Sequence, residues 1–176
     1  MQDLWVFGYG SLMWRPGFDF VERRDARLYG YHREFCVFSH VHRGTPEKPG
    51  LVFGLDRGGA CRGAAFRVAG EKAAEVYAYL QEREQVTSVY LDVMRPVRLL
   101  ETGEKVTALC FIVDRAHLQY AGKLSFDDQV RLIAEGKGQS GANPDYLFGT
   151  LTHLREIGIK DARLEALWHA VLQRLS

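Results

Sequence analysis

The sequence predicts an α+β protein in which a curved sheet or barrel is accompanied by helices. Apolar, β-branched and aromatic segments follow one another through residues 4–68 and return at residues 88–114. Helical periodicity is found at residues 71–84 and in the last third of the chain. Strands that mostly succeed one another, with most helices gathered late, are typical of the α+β class.

Length and composition limit the classes of function. The chain has 176 residues and a formal net charge of +1, so we expect one domain over residues 1–176, with a helical C-terminal third from about residue 125. The small net charge gives no general reason to expect nucleic acid or an anionic membrane as a partner. We expect no secretory leader, because Asp3 interrupts the start and no positive segment precedes an apolar one. We expect no membrane span, because no apolar run approaches the required length. The three cysteines, Cys36, Cys61 and Cys110, lie far apart in apolar surroundings, which is typical of reduced core thiols in a cytoplasmic protein.

Strand segments come first along the chain. Gly58 or Gly59 can supply the positive φ of a turn at residues 57–60, so we expect the chain to reverse there. The segment at 25–39 predicts one long strand or two short ones. Before the first helix the pattern predicts strands in four segments: 4–8, 25–39, 51–56 and 61–68.

A second pair of strands follows the first helix. Residues 88–100 alternate between apolar and polar side chains, whereas residues 105–114 are apolar on both faces. The short polar turn between them predicts a hairpin whose second strand is central in the sheet. Pro96 indicates an edge position or a bulge in the first strand of this pair.

The last third of the chain predicts three helices with recognisable ends. The first begins after Ser125, a capping residue, and ends before Gly136. The second begins at Asn143 and the proline that follows it, and ends at Gly158. Asp161 caps the third, which carries a stripe of apolar side chains.

The first strand runs into a Gly-Tyr-Gly-Ser turn at residues 8–11. A dinucleotide fingerprint would need glycine at Met13, and neither a phosphate-binding loop nor a nucleophile elbow fits the spacing. Gly8 and Gly10 let a ligand approach the backbone closely, and successive N–H groups can bind an anion. Ser11 adds a hydroxyl. The turn is therefore either a cradle for a carboxylate or oxyanion, or a turn with nothing bound.

The helix at residues 71–84 carries one carboxylate on its inward side. Ala73, Tyr77 and Leu80 share a stripe, and Glu84 lies within about 20° of it. Burial would raise the pKa of Glu84 toward the range of a general base. We expect no pairing with Arg83, because adjacent helical residues do not face each other. Alternatively, the helix frays at its end and Glu84 points into water.

The histidines predict no metal centre. His40 and His42 would share a strand face, as metal ligands can, but no third ligand is evident near them in the sequence. His153 and His169 fall in amphipathic helices and are expected to be ordinary helix residues. We therefore expect no metal site.

Four segments stand out in this order along the chain: VFGYGSLMW (6–14), HRGTPEKPG (42–50), AYLQERE (78–84) and NPDYLF (143–148). Taken together, they resemble the ChaC family of glutathione-specific γ-glutamylcyclotransferases, and they span nearly the whole chain. The segment ending at Glu84 is similar to the family's helix end, whose glutamate is the catalytic base.

The resemblance implies a small mixed β-barrel with flanking helices, no cofactor and a cytoplasmic setting. It implies Glu84 as the catalytic base. Arg43 would meet the glycine carboxylate of glutathione, or is a solvated loop arginine; Tyr146 would line the pocket, or has a core role. The substrate cradle maps to seven residues: Val6, Phe7, Gly8, Tyr9, Gly10, Ser11 and Leu12.

The activity that the resemblance implies is cleavage of a γ-glutamyl amide by the substrate's own α-amine. Glutathione would give 5-oxoproline and Cys-Gly. A nucleophile carried by the substrate explains why the sequence displays none. Some family members have a Gly-Tyr segment after the glutamate, where this chain has QVTSVY (85–90), so another γ-glutamyl amine or peptide stays open as the substrate. A non-catalytic small-ligand binder of the same fold is the remaining alternative.

Overall fold

The computed structural model describes residues 1–84 and 88–176. Its main strands close into a five-stranded barrel with the order β1-β3-β2-β4-β5. β1 pairs antiparallel with β3 and parallel with β5, so the predicted mixed barrel is confirmed. The strands are β1 (Leu4–Gly8), β2 (Glu22–Ser39), β3 (Gly50–Val68), β4 (Tyr90–Leu99) and β5 (Lys105–Val113).

The described residues form two compact units. The first comprises Met1–Glu34 and Leu55–His117, and the second comprises Phe35–Gly54 and Leu118–Ser176. Strands β2 and β3 each contribute residues to both units. The expectation of one domain over the whole chain stays a prediction.

Strand β3 differs from the sequence-based expectation. A turn at residues 57–60 was expected to separate two strands, but Gly50–Val68 is one continuous strand. Gly58 and Gly59 do adopt positive φ, at 108° and 68°. Both glycines therefore accommodate an irregularity inside an exposed stretch of a long strand, rather than reversing the chain.

Strands β4 and β5 form the predicted hairpin, with pairs from Tyr90–Val113 to Arg98–Lys105. The other edge of β5 pairs with β1, so β5 is central as predicted. Strand β4 pairs with β2 through Val97, Arg98 and Leu99, so this pairing stops at the residue that follows Pro96. Proline has no N–H to donate to a neighbouring strand, and Pro96 lies where the pairing with β2 ends.

Helix α2 (Gly70–Glu84) supplies the apolar face that packs in the first unit. Val76 and Leu80 of α2 are buried among side chains from the barrel strands and from the short helix α1 (Ser11–Trp14). Full burial of a leucine such as Leu80 stabilises the fold by about 1.5–3 kcal/mol. The rest of this cluster consists of Val6, Leu12, Val68, Leu109 and Phe111.

The second unit contains three helices whose capping residues were predicted. The Ser125 side chain accepts the N–H of Asp128, and the Asp161 side chain accepts the N–H of Leu164, both at 3.1 Å. A two-stranded ribbon precedes α4. The elements are α3 (Phe126–Glu135), β6 (Lys137–Gly138), β7 (Gly141–Ala142), α4 (Asn143–Glu156) and α5 (Ala162–Leu175).

All three cysteines are buried thiols, as the sequence predicted. Burial raises the pKa of the Cys110 thiol to about 12, because the thiolate would lose its hydration. In the described part of the chain, no helix combines the length and the apolar character needed to cross a membrane.

Candidate active site

The glycine turn lies directly between β1 and α1. Gly8 is the last residue of β1, where it pairs with Ala64 of β3. The N–H of Met13 then donates to the carbonyl oxygen of Gly10 at 2.8 Å, which starts the helical turn. Ser11 is exposed. The turn therefore presents a hydroxyl and glycine backbone at the end of a fixed strand.

Several predicted cradle residues are buried by their side chains. Val6 and Leu12 belong to the apolar cluster around α2. Phe7 and Tyr9 are 1% and 9% exposed. These four residues can therefore offer a ligand their backbone rather than their side chains.

Arg33 of β2 holds the turn from one side, and no sequence motif marked it. It is only 7% exposed. Its Nε donates to the carbonyl oxygen of Tyr9 at 2.8 Å, and its Nη2 donates to that of Arg62 at 2.6 Å. The described peptide bonds are trans, so the N–H of Gly10 points opposite to the Tyr9 carbonyl. Arg33 therefore fixes the direction of the Gly10 N–H.

Glu84 ends helix α2, and its side chain is 17% exposed. Glu75 and Glu82, which the helical spacing places on the other side, are exposed. The prediction that Glu84 lies on the inward side is confirmed, and the alternative in which it points into water is wrong. Its role as a catalytic base stays a prediction.

The environment of Glu84 shifts its proton affinity. Burial raises the pKa of the carboxyl above its ordinary value of 4.5, and the positive charge of Arg83 opposes part of that rise. A carboxylate with a raised pKa accepts a proton more readily than one in water. The environment of Glu84 is thus suited to a general base.

Arg83 contradicts the expectation that it would not meet Glu84. Its Nε lies 3.7 Å from Oε1 of Glu84. Adjacent helical residues point their Cβ atoms in different directions, but the guanidinium lies at the end of a long side chain. Hydrogen bonds to other groups hold it at the end of the helix. Its Nη1 donates to the carbonyl oxygens of Arg15 and Pro16 at 2.6 and 2.9 Å.

The same guanidinium connects the carboxylate to the glycine turn. Nη2 of Arg83 donates to Oγ of Ser11 at 3.1 Å. Ser11 and Glu84, two candidate site residues from separate segments of the chain, therefore contact one shared side chain. The segment after Glu84, where the sequence departs from the Gly-Tyr of some family members, begins with residues 85–87, which lie outside the described residues.

Arg43 and Tyr146 contact each other in the second unit. The Arg43 guanidinium lies over the Tyr146 ring, 5.4 Å from its centroid, and Nη1 donates to the carbonyl oxygen of Ala142 at 3.1 Å. Arg43 is half-buried in its loop, and these contacts hold part of its guanidinium. The Tyr146 ring packs edge-on against Phe35, and its hydroxyl accepts the N–H of Phe53 at 3.3 Å, which fits the core role. Substrate contacts of Arg43 and Tyr146 stay predictions.

Metal ligands are not gathered anywhere in the described residues. No group of three or more histidine, cysteine or acidic side chains there could hold a metal ion. His42, one of the two candidate ligands, instead places Nδ1 2.9 Å from Oγ of Ser140.

The barrel has the fold of the γ-glutamylcyclotransferases. A crystal structure of the yeast γ-glutamylcyclotransferase specific to glutathione superposes with a TM-score of 0.85 and 25% identity, covering 98% of this chain and 97% of that one. A second structure of that yeast enzyme gives a TM-score of 0.84 at 26% identity, covering 99% of this chain and 100% of that one.

The sequence comparisons specify the family. The family model described as ChaC-like protein matches residues 4–174, and this chain belongs to that family. The glutathione-specific γ-glutamylcyclotransferase of Escherichia coli is 35% identical over 98% of this chain and 74% of its own length. The γ-glutamylcyclotransferase 2-3 of Arabidopsis thaliana is 32% identical over 98% of this chain and 90% of its own.

Proposed function

We propose that this chain is a glutathione-specific γ-glutamylcyclotransferase, which cleaves glutathione into 5-oxoproline and Cys-Gly. One observation carries the assignment of the site: the buried Glu84 carboxylate and the Ser11 hydroxyl of the glycine turn meet the same guanidinium. Relatives that are named for this activity, of which this chain covers 74% and 78%, support the choice of substrate.

The reaction is an internal displacement. The α-amine of the glutamyl residue attacks the γ-carbonyl carbon and forms a five-membered lactam. The bond between that carbon and the cysteine nitrogen then breaks, and Cys-Gly leaves. The protein needs no nucleophile of its own, because the substrate supplies it.

Glu84 moves the proton in this scheme. Its carboxylate takes a proton from the substrate ammonium, which frees the amine to attack. The same carboxyl group then delivers a proton to the departing nitrogen. General acid–base catalysis of this kind accelerates a reaction by roughly 10²–10⁴-fold, and the raised pKa of the buried Glu84 carboxyl matches both steps.

The glycine turn holds an anionic oxygen of the substrate. Backbone N–H groups of residues 8–12 are the donors, and the contact between Arg33 and the Tyr9 carbonyl fixes the direction of the Gly10 N–H. A preorganised donor contributes about 3–4 kcal/mol where it meets a developing oxyanion. Holding the glutamyl chain folded, with amine and carbonyl in contact, lowers the barrier further.

Arg43 and Tyr146 have supporting roles in this function. Arg43 binds a substrate carboxylate through guanidinium donors other than the Nη1 group that holds Ala142. Tyr146 fixes the position of that guanidinium through its ring. The enzyme works as one domain over residues 1–176, in the cytoplasm, with neither cofactor nor metal.

Incubation of the purified protein with glutathione tests the proposal. We expect 5-oxoproline and Cys-Gly in equal amounts, and little release from γ-glutamyl dipeptides that lack the Cys-Gly portion. Release from the dipeptides but not from glutathione would favour the alternative cyclotransferase. Saturable binding of glutathione that is recovered intact would favour the non-catalytic binder.

A further inference from the structure

Arg83 makes more polar contacts around the candidate site than any catalytic scheme requires of it. Its Nη1 group meets the carbonyl oxygens of Arg15 and Pro16 and the hydroxyl of Tyr79, at 2.6, 2.9 and 3.2 Å. Its Nη2 group meets Ser11 Oγ at 3.1 Å. The side chain is 20% exposed. Both terminal nitrogens thus bind the protein itself.

We propose that Arg83 is the positioning residue of the site, which holds Glu84 and the end of the glycine turn in one fixed arrangement. The proposal rests on the proposed function and names a further residue of that same site. Arg83 acts through Glu84 and Ser11, which its guanidinium contacts, while its Nη1 group is occupied by protein acceptors.

The guanidinium shape matters as well as its charge. The contacts to Ser11 and to the carbonyls of Arg15 and Pro16 come from two different nitrogens of one planar group. A lysine ammonium is a point charge on a flexible stem and cannot reproduce this fork. Arginine at this position therefore fixes the spacing between the turn and the end of α2.

Gly17 shows that the chain is adapted to this contact. It adopts φ of +75°, and a Cβ there would lie 2.1 Å from the Tyr79 hydroxyl and 3.4 Å from Nη1 of Arg83. Glycine suits this position because φ is positive and because a Cβ would displace the Tyr79 hydroxyl. The backbone carbonyls of Arg15 and Pro16 are thereby brought within reach of the guanidinium.

Arg83 also influences proton transfer by Glu84. Its charge favours the ionised carboxylate and lowers a pKa that burial raises. Across residues 1–84 and 88–176, Arg83 is the one charged group that shifts the pKa of Glu84. The guanidinium itself contacts the neutral hydroxyl of Tyr79 and the carbonyl of Arg15. Removal of this charge should raise the pKa of Glu84, so the acid limb of the rate profile should move to higher pH.

Two substitutions separate geometry from charge, with kcat and KM for glutathione measured from acid to neutral pH. In Arg83→Gln we expect kcat to fall about 10²-fold, the scale of a misplaced catalytic group, and the acid limb to move upward in pH. In Arg83→Lys the limb should stay near its wild-type position while kcat still falls. KM should change little in either variant. Glu82→Gln, an exposed site on the same helix, should match wild type.

Full recovery of kcat in Arg83→Lys would overturn the positioning role, as would wild-type kcat and an unmoved limb in Arg83→Gln. If Arg83→Gln does not fold, the kcat of Arg83→Lys decides. A second measurement does not depend on activity: carbon-13 NMR titration of the Glu84 carboxyl in wild type and Arg83→Gln. An unchanged Glu84 pKa there would also overturn the inference. A wild-type protein that releases no 5-oxoproline would instead refute the proposed function, and the titration would still test Arg83.

Discussion

Glu84 in the first unit and Asn143 in the second are both buried polar side chains, but their partners differ. Asn143 is fully buried, and its amide accepts the N–H of Leu51 at 2.8 Å and donates to the carbonyl oxygen of Leu51 at 2.9 Å. The polar contact of Glu84 within the described residues is Arg83 at 3.7 Å, which is too long for a hydrogen bond.

The difference indicates what each buried group does. An amide with both of its ends paired to the backbone fixes the beginning of α4 against β3, and it carries no charge to titrate. A carboxylate held near a guanidinium, without a direct hydrogen bond from it, retains a high proton affinity. The paired amide of Asn143 therefore stabilises the fold, whereas the carboxylate of Glu84 stays able to take up a proton.

The largest expected effect comes from removing the proton-accepting carboxylate of Glu84 without changing the shape of the side chain. Glu84→Gln keeps the shape of the side chain but cannot accept the proton, so kcat/KM for 5-oxoproline release should fall roughly 10²–10⁴-fold. The thermal midpoint should not fall. Glu75→Gln, an exposed carboxylate on the same helix, is the matched control and should retain full activity. Near-normal turnover by Glu84→Gln would show that the base is elsewhere.

The next largest effect is expected at Asn143, the buried group whose hydrogen bonds are structural. Asn143→Ala leaves the N–H and the carbonyl of Leu51 without the amide that pairs them, at about 1–3 kcal/mol for each buried group. The free energy of unfolding in urea should drop by about 2–6 kcal/mol. Gln173→Ala, an exposed site on α5, should stay within about 0.5 kcal/mol of wild type. A loss that small for Asn143→Ala would contradict the role assigned to its hydrogen bonds.

A smaller effect is expected at Gly17, whose φ of +75° suits glycine. Gly17→Ala should cost about 1–2 kcal/mol for the left-handed conformation, and more if the Tyr79 hydroxyl cannot move. Gly149 of α4 lacks positive φ, and a Cβ there meets nothing within 4 Å. Gly149→Ala should therefore stabilise the protein by up to about 1 kcal/mol. Opposite signs in thermal denaturation would support the close approach at Gly17, and equal signs would contradict it.

The smallest effect concerns how stability varies with pH. Because burial raises the folded-state pKa of Glu84 above 4.5, its contribution to stability is fully present below that pH and is lost as the pH rises through the raised value. Glu84→Gln has no such group to ionise. Its stability relative to wild type should therefore increase with pH across this window and then level off. A difference that is constant with pH would mean that the carboxyl titrates normally.

Much of this molecule could be predicted from local sequence signals. The caps at Ser125 and Asp161 follow from side-chain chemistry within three residues, and the inward position of Glu84 follows from helical spacing. Arg33 and Arg83 could not be assigned in this way. Each acts on backbone carbonyls that are distant in sequence, and only the folded chain brings those groups together.

The error at β3 has the same physical origin. Gly58 and Gly59 have the conformations that a turn requires, but the local signal does not say whether the chain reverses or continues. Pairing along the rest of a long strand decides that outcome, and pairing is a tertiary property. The contact between Arg83 and Glu84 likewise does not follow from local sequence, because the directions of neighbouring Cβ atoms do not determine where a long, flexible side chain ends.

The burial of the cysteines has a consequence for a protein whose proposed substrate is itself a thiol. Thiol–disulfide exchange requires an accessible thiolate. Cys36, Cys61 and Cys110 are 1%, 2% and 0% exposed, and burial raises the pKa of Cys110 to about 12. The protein can therefore work in high concentrations of glutathione, reduced or oxidised, without forming mixed disulfides, so its own redox state stays independent of the pool that it consumes.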